Sequence, residues 1–416
     1  MSNSGPGAGE TLRIFMIGQR GVPATYGGIE RHVEELGARL ADRGHDVTVW
    51  CRTSYVGEQP THLRGMRLRY LPALRSRGLE SISHSALAVF CSLWSRPDVV
   101  HFHGVGSVLL APVSRWVGRS GVVATVHGLD GDRAKWGRVA KAVLSLGTRM
   151  SASVPHATIV VSRALAAHFR SAYGSEATHI GNGVTELSHV PAGATLDRLG
   201  LTAGRYVLYV GRVVPEKAPH QLVRAFLARE VSPATQDVKL AVVGGTSHTD
   251  EYVAQVQAAS AGDPRVVHAG YVYGEDLHEL YGNAGLFVLP SLVEGLPLTL
   301  LEACAHGVPV LCSDIPPHLE VVDPPGAAGG IYPAGDEEQL TACLEQMLRG
   351  LGSEEQRRAA AEQRERVLRR YSWDDMTADT EAVYQRVVSR SAAPGARVRR
   401  RLLHLRGQLR QAAGVR

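Results

Sequence analysis

Residues 206–229 read YVLYVGRVVPEKAPHQLVRAFLAR. Five apolar or aromatic residues open the stretch, Gly211 ends the run, and a charged loop leads into an amphipathic segment over 220–229. A short apolar run closed by glycine and followed by helical periodicity reads as the strand–loop–helix unit of a parallel sheet. The loop carries Arg212 and Lys217, five residues apart, straight after the strand. A planar guanidinium and a point-charge ammonium together suit a diphosphate. Lysine is scarce: Lys135, Lys141, Lys217 and Lys239 are the whole complement, so Lys217 is not routine surface filler. The plainer alternative is a solvated pair of charges, with Glu216 neutralising one of them.

The same unit recurs on both sides. Strand candidates are 13–17, 46–51, 67–71, 99–103, 122–127 and 158–161 in the first half, and 206–210, 239–243, 266–269, 286–289 and 308–312 in the second. Helical patterns such as 30–43 and 220–229 lie between most of them. Apolar strands alternating with helices mean parallel sheets covered on both faces. Eleven strands are many for one layer, so the expected fold is α/β, with two doubly wound Rossmann-like domains facing across a cleft. The break falls near 186–205, ELSHVPAGATLDRLGLTAGR, which is polar, contains Pro and Gly and has no strand. The expected division is 11–190, 200–375, a helix over 376–390 and a tail over 391–416.

Bulk properties narrow the class. The 416 residues are 44% hydrophobic and 20% charged, enough for large cores. The net charge of +5 is a property of the tail, whose seven arginines come without an acid; the remainder is slightly acidic at −2. That argues against a nucleic-acid-binding domain. In the tail Val398, Leu402, Leu405 and Leu409 recur at helical spacing among the arginines. This reads as a basic amphipathic helix suited to an anionic membrane surface, against the plain alternative of a solvated tail. Five scattered cysteines without a C-x-x-C point to a reducing, cytoplasmic setting. The start of the chain is rich in Gly and Ser, and no apolar run is long enough to span a bilayer.

In doubly wound sheets ligands bind beyond the carboxyl ends of the strands, and the unusual residues cluster there. GQRGVPATYGGIERHVEELGARL, 18–40, runs from the first strand into a helix, with Gly27 and Gly28 just before it. Glycines permit close backbone approach and a helix start offers free N–H groups to an anion, although a plain tight turn reads equally well. The stretch is neither G-x-G-x-x-G nor a Walker loop, so no nicotinamide cofactor is indicated. His127, with Asp130 close behind, ends another strand and is a candidate hydrogen-bonding group at a reacting centre. His101 and His103 share a strand face nearby and raise a metal alternative, but matching carboxylate ligands are missing.

The last cluster is VEGLPLTLLEACAHG, 293–307. Pro297 suits a first helical turn and Gly307 a helix end, so Glu294 sits in the loop and Glu302 inside the helix. Residues 295–298, with Gly295, Leu296 and Pro297 among them, offer amides at the helix start. Glu302 is suited to accept ribose hydroxyls. Glu294 is suited either to sugar hydroxyls or to positive charge developing at a reacting carbon.

Taken in order, GGIE at 27–30, GRVVPEK at 211–217 and the Glu-x7-Glu pair Glu294 and Glu302 strongly resemble retaining glycosyltransferases of family 4 (group 1), with the GT-B fold, over roughly Leu12 to Tyr384. GQRGVPATYGG and VHGLD resemble a bacterial subgroup that includes rhamnosyltransferase-like and exopolysaccharide enzymes. The resemblance implies that Arg212 and Lys217 hold the diphosphate of a nucleotide-diphosphate sugar donor, that Glu302 binds its ribose and Glu294 its sugar. It implies that Gly27 and Gly28 line the diphosphate or acceptor side, and that His127 contacts the donor sugar near the reaction centre. It further implies retention at the anomeric carbon, no bound metal or other cofactor, a glycan or lipid-linked acceptor on the N-terminal domain, and a final helix crossing back onto that domain. Arg64, Arg67, Arg69, Arg75 and Arg77 there are a candidate basic surface toward a membrane. One departure is Ala218, where the family usually has Gly. A GT-B epimerase or phosphorylase, a non-catalytic nucleotide- or glycan-binding protein, and a metal hydrolase built on the histidines are the competing readings.

Overall fold

The computed structural model describes residues 10–391, except 26, 56, 75–78, 130–136, 187, 189, 246–249 and 323–328. Asp130, Arg75, Arg77 and the tail expected to be an amphipathic helix therefore lie outside the described residues.

The first sheet is built from β1 (Arg13–Ile17), β2 (Asp46–Arg52), β3 (His62–Leu63), β4 (Met66–Leu71), β5 (Val99–His103), β6 (Gly121–Val126), β7 (Ala157–Val160) and β8 (Thr178–His179). Its spatial order is β3-β4-β2-β1-β5-β6-β7-β8, and every pairing is parallel except β3 with β4. The second contains β9 (Tyr206–Val210), β10 (Lys239–Val243), β11 (Val266–Gly270), β12 (Leu286–Leu289), β13 (Val310–Ser313) and β14 (Gly329–Tyr332), in the order β11-β10-β9-β12-β13-β14, all parallel. Residues of β1, β6, β9 and β12 are almost all buried, as strands covered by helices on both faces must be. The two doubly wound sheets expected from the sequence are thus present.

Three strands escape sequence reading for physical reasons. β3 and β8 have two residues each, too few to show a period. β14 reads GGIY, and glycine is depleted in strands because it adds no packing side chain.

The strand order positions the site. In the first sheet β1 lies between β2 and β5; in the second β9 lies between β10 and β12. At each of these points the chain winds in opposite directions, which opens a crevice at the carboxyl ends of the strands. The loops leaving β1 and β5 flank one crevice, and those leaving β9 and β12 the other. The helix Trp373–Ser391 returns to the first sheet, packing on the helix Gly28–Asp42 and on β6. There Tyr384 Oη lies 2.6 Å from His101 Nδ1, and Arg43 pairs with Glu381 at 3.1 Å.

The arginines expected to form a basic surface in this domain are partly engaged within it. Arg64 bonds Glu35 at 3.0 Å, and Arg67 pairs with Asp46.

Candidate active site

A cavity of about 270 Å³ lies between the two crevices. From the first domain it is lined by Arg20, Gly27, Gly28, Ile29, Glu30, His127 and Asn182, and from the second by Arg212, Glu216, Lys217 and residues 293–299. Of the residues singled out by sequence, Gly27, Gly28, His127, Arg212, Lys217, Glu294, Gly295, Leu296 and Pro297 come together here.

The loop after β9 holds Lys217 by tight local geometry. Pro215–Lys217 form one 3₁₀ turn, Ala218 takes a left-handed conformation (φ 48°, ψ 36°), and Pro219 starts the next helix. A left-handed residue bearing a Cβ costs roughly 1–2 kcal/mol. The loop shape that glycine would give is therefore kept here by an alanine, at some cost. The Leu292 amide donates to the Glu216 carbonyl at 2.9 Å, tying this loop to the one after β12.

Lys217 Nζ donates to Glu294 Oε1 at 2.6 Å, and Ser291 Oγ donates to the same oxygen at 2.8 Å. Burial works against the Glu294 charge, but the Lys217 ammonium, with help from Ser291, outweighs it and holds the carboxyl below its ordinary value. Glu216 does not neutralise Lys217: its two carboxylate oxygens are buried with no hydrogen-bond partner among the described residues. The structure thus leaves an unsatisfied acceptor on the cavity wall beside the cation.

Two helices start at the cavity from opposite sides, Gly28–Asp42 and Leu298–Ala305. The first amides of each lack intrahelical acceptors and carry the positive end of the helix dipole. Gly27, at φ 113°, caps the first; a Cβ there would lie 2.2 Å from Glu30 Oε2. Gly295 precedes the second and touches the other domain: a Cβ there would lie 1.8 Å from the carbonyl oxygen of His127. Only glycine allows the two backbones to approach this closely.

Behind His127 stands a cluster that sequence reasoning saw in part. Nitrogens of His32, His103 and His127 lie within 4.8 Å of one another. His127 Nε2 is 3.3 Å from His103 Nδ1, and His32 Nδ1 bonds Asn182 Oδ1 at 2.9 Å. Burial lowers His32 to about 4 and drives His103 and His127 well below the ordinary value, so His127 meets the cavity as a neutral ring. The His101 ring packs on His103, with centroids 4.1 Å apart, but the His101 nitrogens are engaged elsewhere. Its two nitrogens lie beside Tyr384 and Thr125, a satisfied structural role. Among the described residues no carboxylate joins the three clustered histidines.

Asn182 and His32 were missed. Asn182 Nδ2 donates to the Leu296 carbonyl at 3.0 Å, so one amide side chain joins the histidine cluster to the start of the opposing helix. The available signals were weak: an Asn between two glycines just after a two-residue strand, and a His one turn beyond Gly28.

Glu302 does not line this cavity. It borders a separate cavity of about 20 Å³ with Arg31, His278 and His306. Burial raises its carboxyl above the ordinary value, opposed by Arg31 and by a hydrogen bond from Tyr281. Glu294 and Glu302 are therefore shifted in opposite directions, by environments on different sides of one short helix.

Comparison with known proteins agrees with the fold and the motifs. The family model for glycosyl transferases group 1 matches residues 199–366, and that for Glycosyltransferase Family 4 matches 26–186. O-antigen chain mannosyltransferase B of Escherichia coli is 30% identical over 43% of this chain and 45% of its own length. A glycogen synthase of Mycobacterium tuberculosis is 28% identical over 90% of this chain and 94% of its own. The chain thus spans under half of the first relative and nearly all of the second. Among solved structures, HepE of Anabaena in complex with UDP and glucose superposes with a TM-score of 0.75 at 16% identity, covering 90% of this chain and 99% of that one. The fold and site define a two-domain GT-B protein with a cleft between its two sheets. The chain belongs to the group 1, family 4 glycosyltransferases.

Proposed function

We propose that the cleft binds a nucleotide-diphosphate sugar and transfers the sugar, with retention at the anomeric carbon and without a metal, to a glycan or lipid-linked acceptor on the first domain. The setting is cell-envelope or exopolysaccharide synthesis at the inner face of a membrane. The observation that carries this reading is the Lys217–Glu294 pair of 2.6 Å on the wall of the cavity, with a helix N-terminus on each side. Two similar proteins support it: the E. coli relative is a mannosyltransferase, and the Anabaena structure holds UDP and glucose.

In this reading the pair keeps two partly buried charges satisfied until the donor arrives. A bound diphosphate draws the Lys217 ammonium toward itself, together with Arg212 and the amides of the two helix starts. This releases Glu294 to the hydroxyls of the transferred sugar. As the glycosidic bond breaks, negative charge grows on the diphosphate, where these fixed donors stabilise it. The departing phosphate oxygen takes the acceptor proton on the same face, so no separate general base is required. Neutral His127 offers a hydrogen bond to the donor sugar without adding positive charge near an oxocarbenium-like centre. Glu302, outside the main cavity, binds the ribose when the nucleotide opens the smaller cavity beside it.

The test is product stereochemistry. Purified protein is given a donor and an acceptor, and the anomeric proton of the new linkage is followed by NMR. Retention is expected; an inverted linkage, free sugar phosphate, or an epimer formed without acceptor overturns the reading.

A further inference from the structure

We propose that the outer face of the helix Glu80–Ser95, with the adjoining turn Val113–Val117, is a docking surface for an anionic phospholipid bilayer; this rests on the lipid-linked acceptor proposed above. Leu87, Phe90 and Trp94 recur at helical spacing on the solvent face of this helix. Beside them in the turn stand Trp116 and Val117. Trp94 is 73% exposed, Trp116 71% and Phe90 56%. The Phe90 and Trp94 rings lie 4.6 Å apart, so the apolar surface is contiguous rather than scattered. Such patches mark interaction sites, and tryptophan is suited to the headgroup level of a membrane because its ring is apolar and its N–H polar.

Charge points to a phospholipid rather than to a protein. A polar cavity of about 230 Å³ joins the end of the helix to the turn, bordered by Arg96, Arg119, Ser92 and Ser114. Among the described residues Arg96, Arg115 and Arg119 form no ion pair. Arg96 also holds a left-handed conformation, φ 49°, which a side chain adopts at a cost. A phosphate headgroup matches two unpaired guanidinium groups flanked by serine hydroxyls.

The end of the described chain points the same way. A Cβ on Gly121 would lie 2.6 Å from Val387 Cγ1, so the last helix ends beside the start of β6, next to Arg119 and Ser120. The 25 residues after 391 contain seven arginines and no acid. They depart from the margin of the patch, where an anionic surface attracts both. The helix runs from the carboxyl end of β4, on the cleft side, to the start of β5, so a bilayer against it lies along the flank of the first domain, with Trp94, Arg96 and Arg119 at the end away from the cleft.

The experiment uses the full chain with vesicles of phosphatidylglycerol mixed into phosphatidylcholine, and with pure phosphatidylcholine. Co-sedimentation with the anionic vesicles alone is expected, together with tryptophan quenching by lipids brominated in their chains. The Trp94→Ala/Trp116→Ala variant should lose about tenfold or more in vesicle affinity, together with the quenching. Arg96→Gln/Arg119→Gln should weaken binding and its salt dependence. Nucleotide-induced thermal shifts should be unchanged in both. Vesicle binding by the tryptophan variant equal to wild type, which would assign all binding to the tail, overturns the proposal. So does a solution dimer of the wild type that the tryptophan substitutions dissociate. Loss of nucleotide shifts in the wild type strikes the functional reading instead.

Discussion

Lys217 Nζ lies 2.6 Å from Glu294 Oε1, joining the loop that leaves β9 to the loop that leaves β12, two neighbouring strands of the second sheet. The contact joins a cation to a carboxylate at the point where the strand order reverses. Removing Glu294 leaves Lys217 partly buried without a carboxylate, and removing Lys217 leaves Glu294 with Ser291 but no cation, whereas a donor diphosphate would replace the carboxylate as the partner of Lys217. Glu294→Gln is therefore expected to fold and still bind nucleotide, and to lose on the order of 10²–10³ in transfer rate. Steady-state kinetics on the purified variant checks this; wild-type turnover would remove Glu294 from the mechanism.

Gly295 fixes the approach of the two domains, because a Cβ would sit 1.8 Å from the His127 carbonyl oxygen. Gly295→Ala must shift backbone rather than a flexible side chain. The expected cost is about 1–3 kcal/mol of stability, with a wider cleft and weaker donor binding. Thermal unfolding and the donor KM are the readouts. A variant with unchanged melting temperature and KM would show that the contact is not held in solution.

Asn182 joins the histidine cluster to the opposing helix start through Leu296 and His32. Asn182→Ala leaves both partners unpaired in a buried setting, at a cost of about 1–3 kcal/mol. Activity should fall more than stability explains, because the helix start loses its tether. Denaturant titration alongside kinetics separates the two effects.

Burial holds His32 and His318 at about 4 and His101, His103 and His127 well below the ordinary 6.5. Below pH 6.5 the unfolded chain binds protons that the folded chain refuses, so stability is full above that pH and falls as pH drops toward 4. At pH 5 the loss is about 2 kcal/mol for each of His32 and His318. Melting temperature followed from pH 7.5 to 5 should fall steeply; a flat profile would contradict neutral buried rings.

The longer strands were legible because their apolar runs, such as YVLYV at β9, admit few other readings. Their strand ends located most of the site, since the topology of parallel sheets puts ligands there. What sequence could not carry was side-chain direction and long-range pairing. Glu302 was expected at the ribose and Glu294 at the sugar, but nothing in the sequence showed that they border separate cavities, Glu302 beside Arg31 and His306. His32 and Asn182 are 150 positions apart in the chain, and no local pattern announces their bond. Likewise the Arg64 and Arg67 charges looked free until their partners, Glu35 and Asp46, came into view.

The central claim is that Arg212, Lys217 and the two helix starts hold a nucleotide diphosphate. Thermal shift of the wild type and of Lys217→Ala against UDP, GDP, ADP, dTDP and their sugars tests it most directly. One nucleotide series should stabilise the wild type by about 2.7 kcal/mol at ~100 times its dissociation constant, with most of that shift absent in Lys217→Ala. No shift with any nucleotide, or equal shifts in the two proteins, would contradict the account.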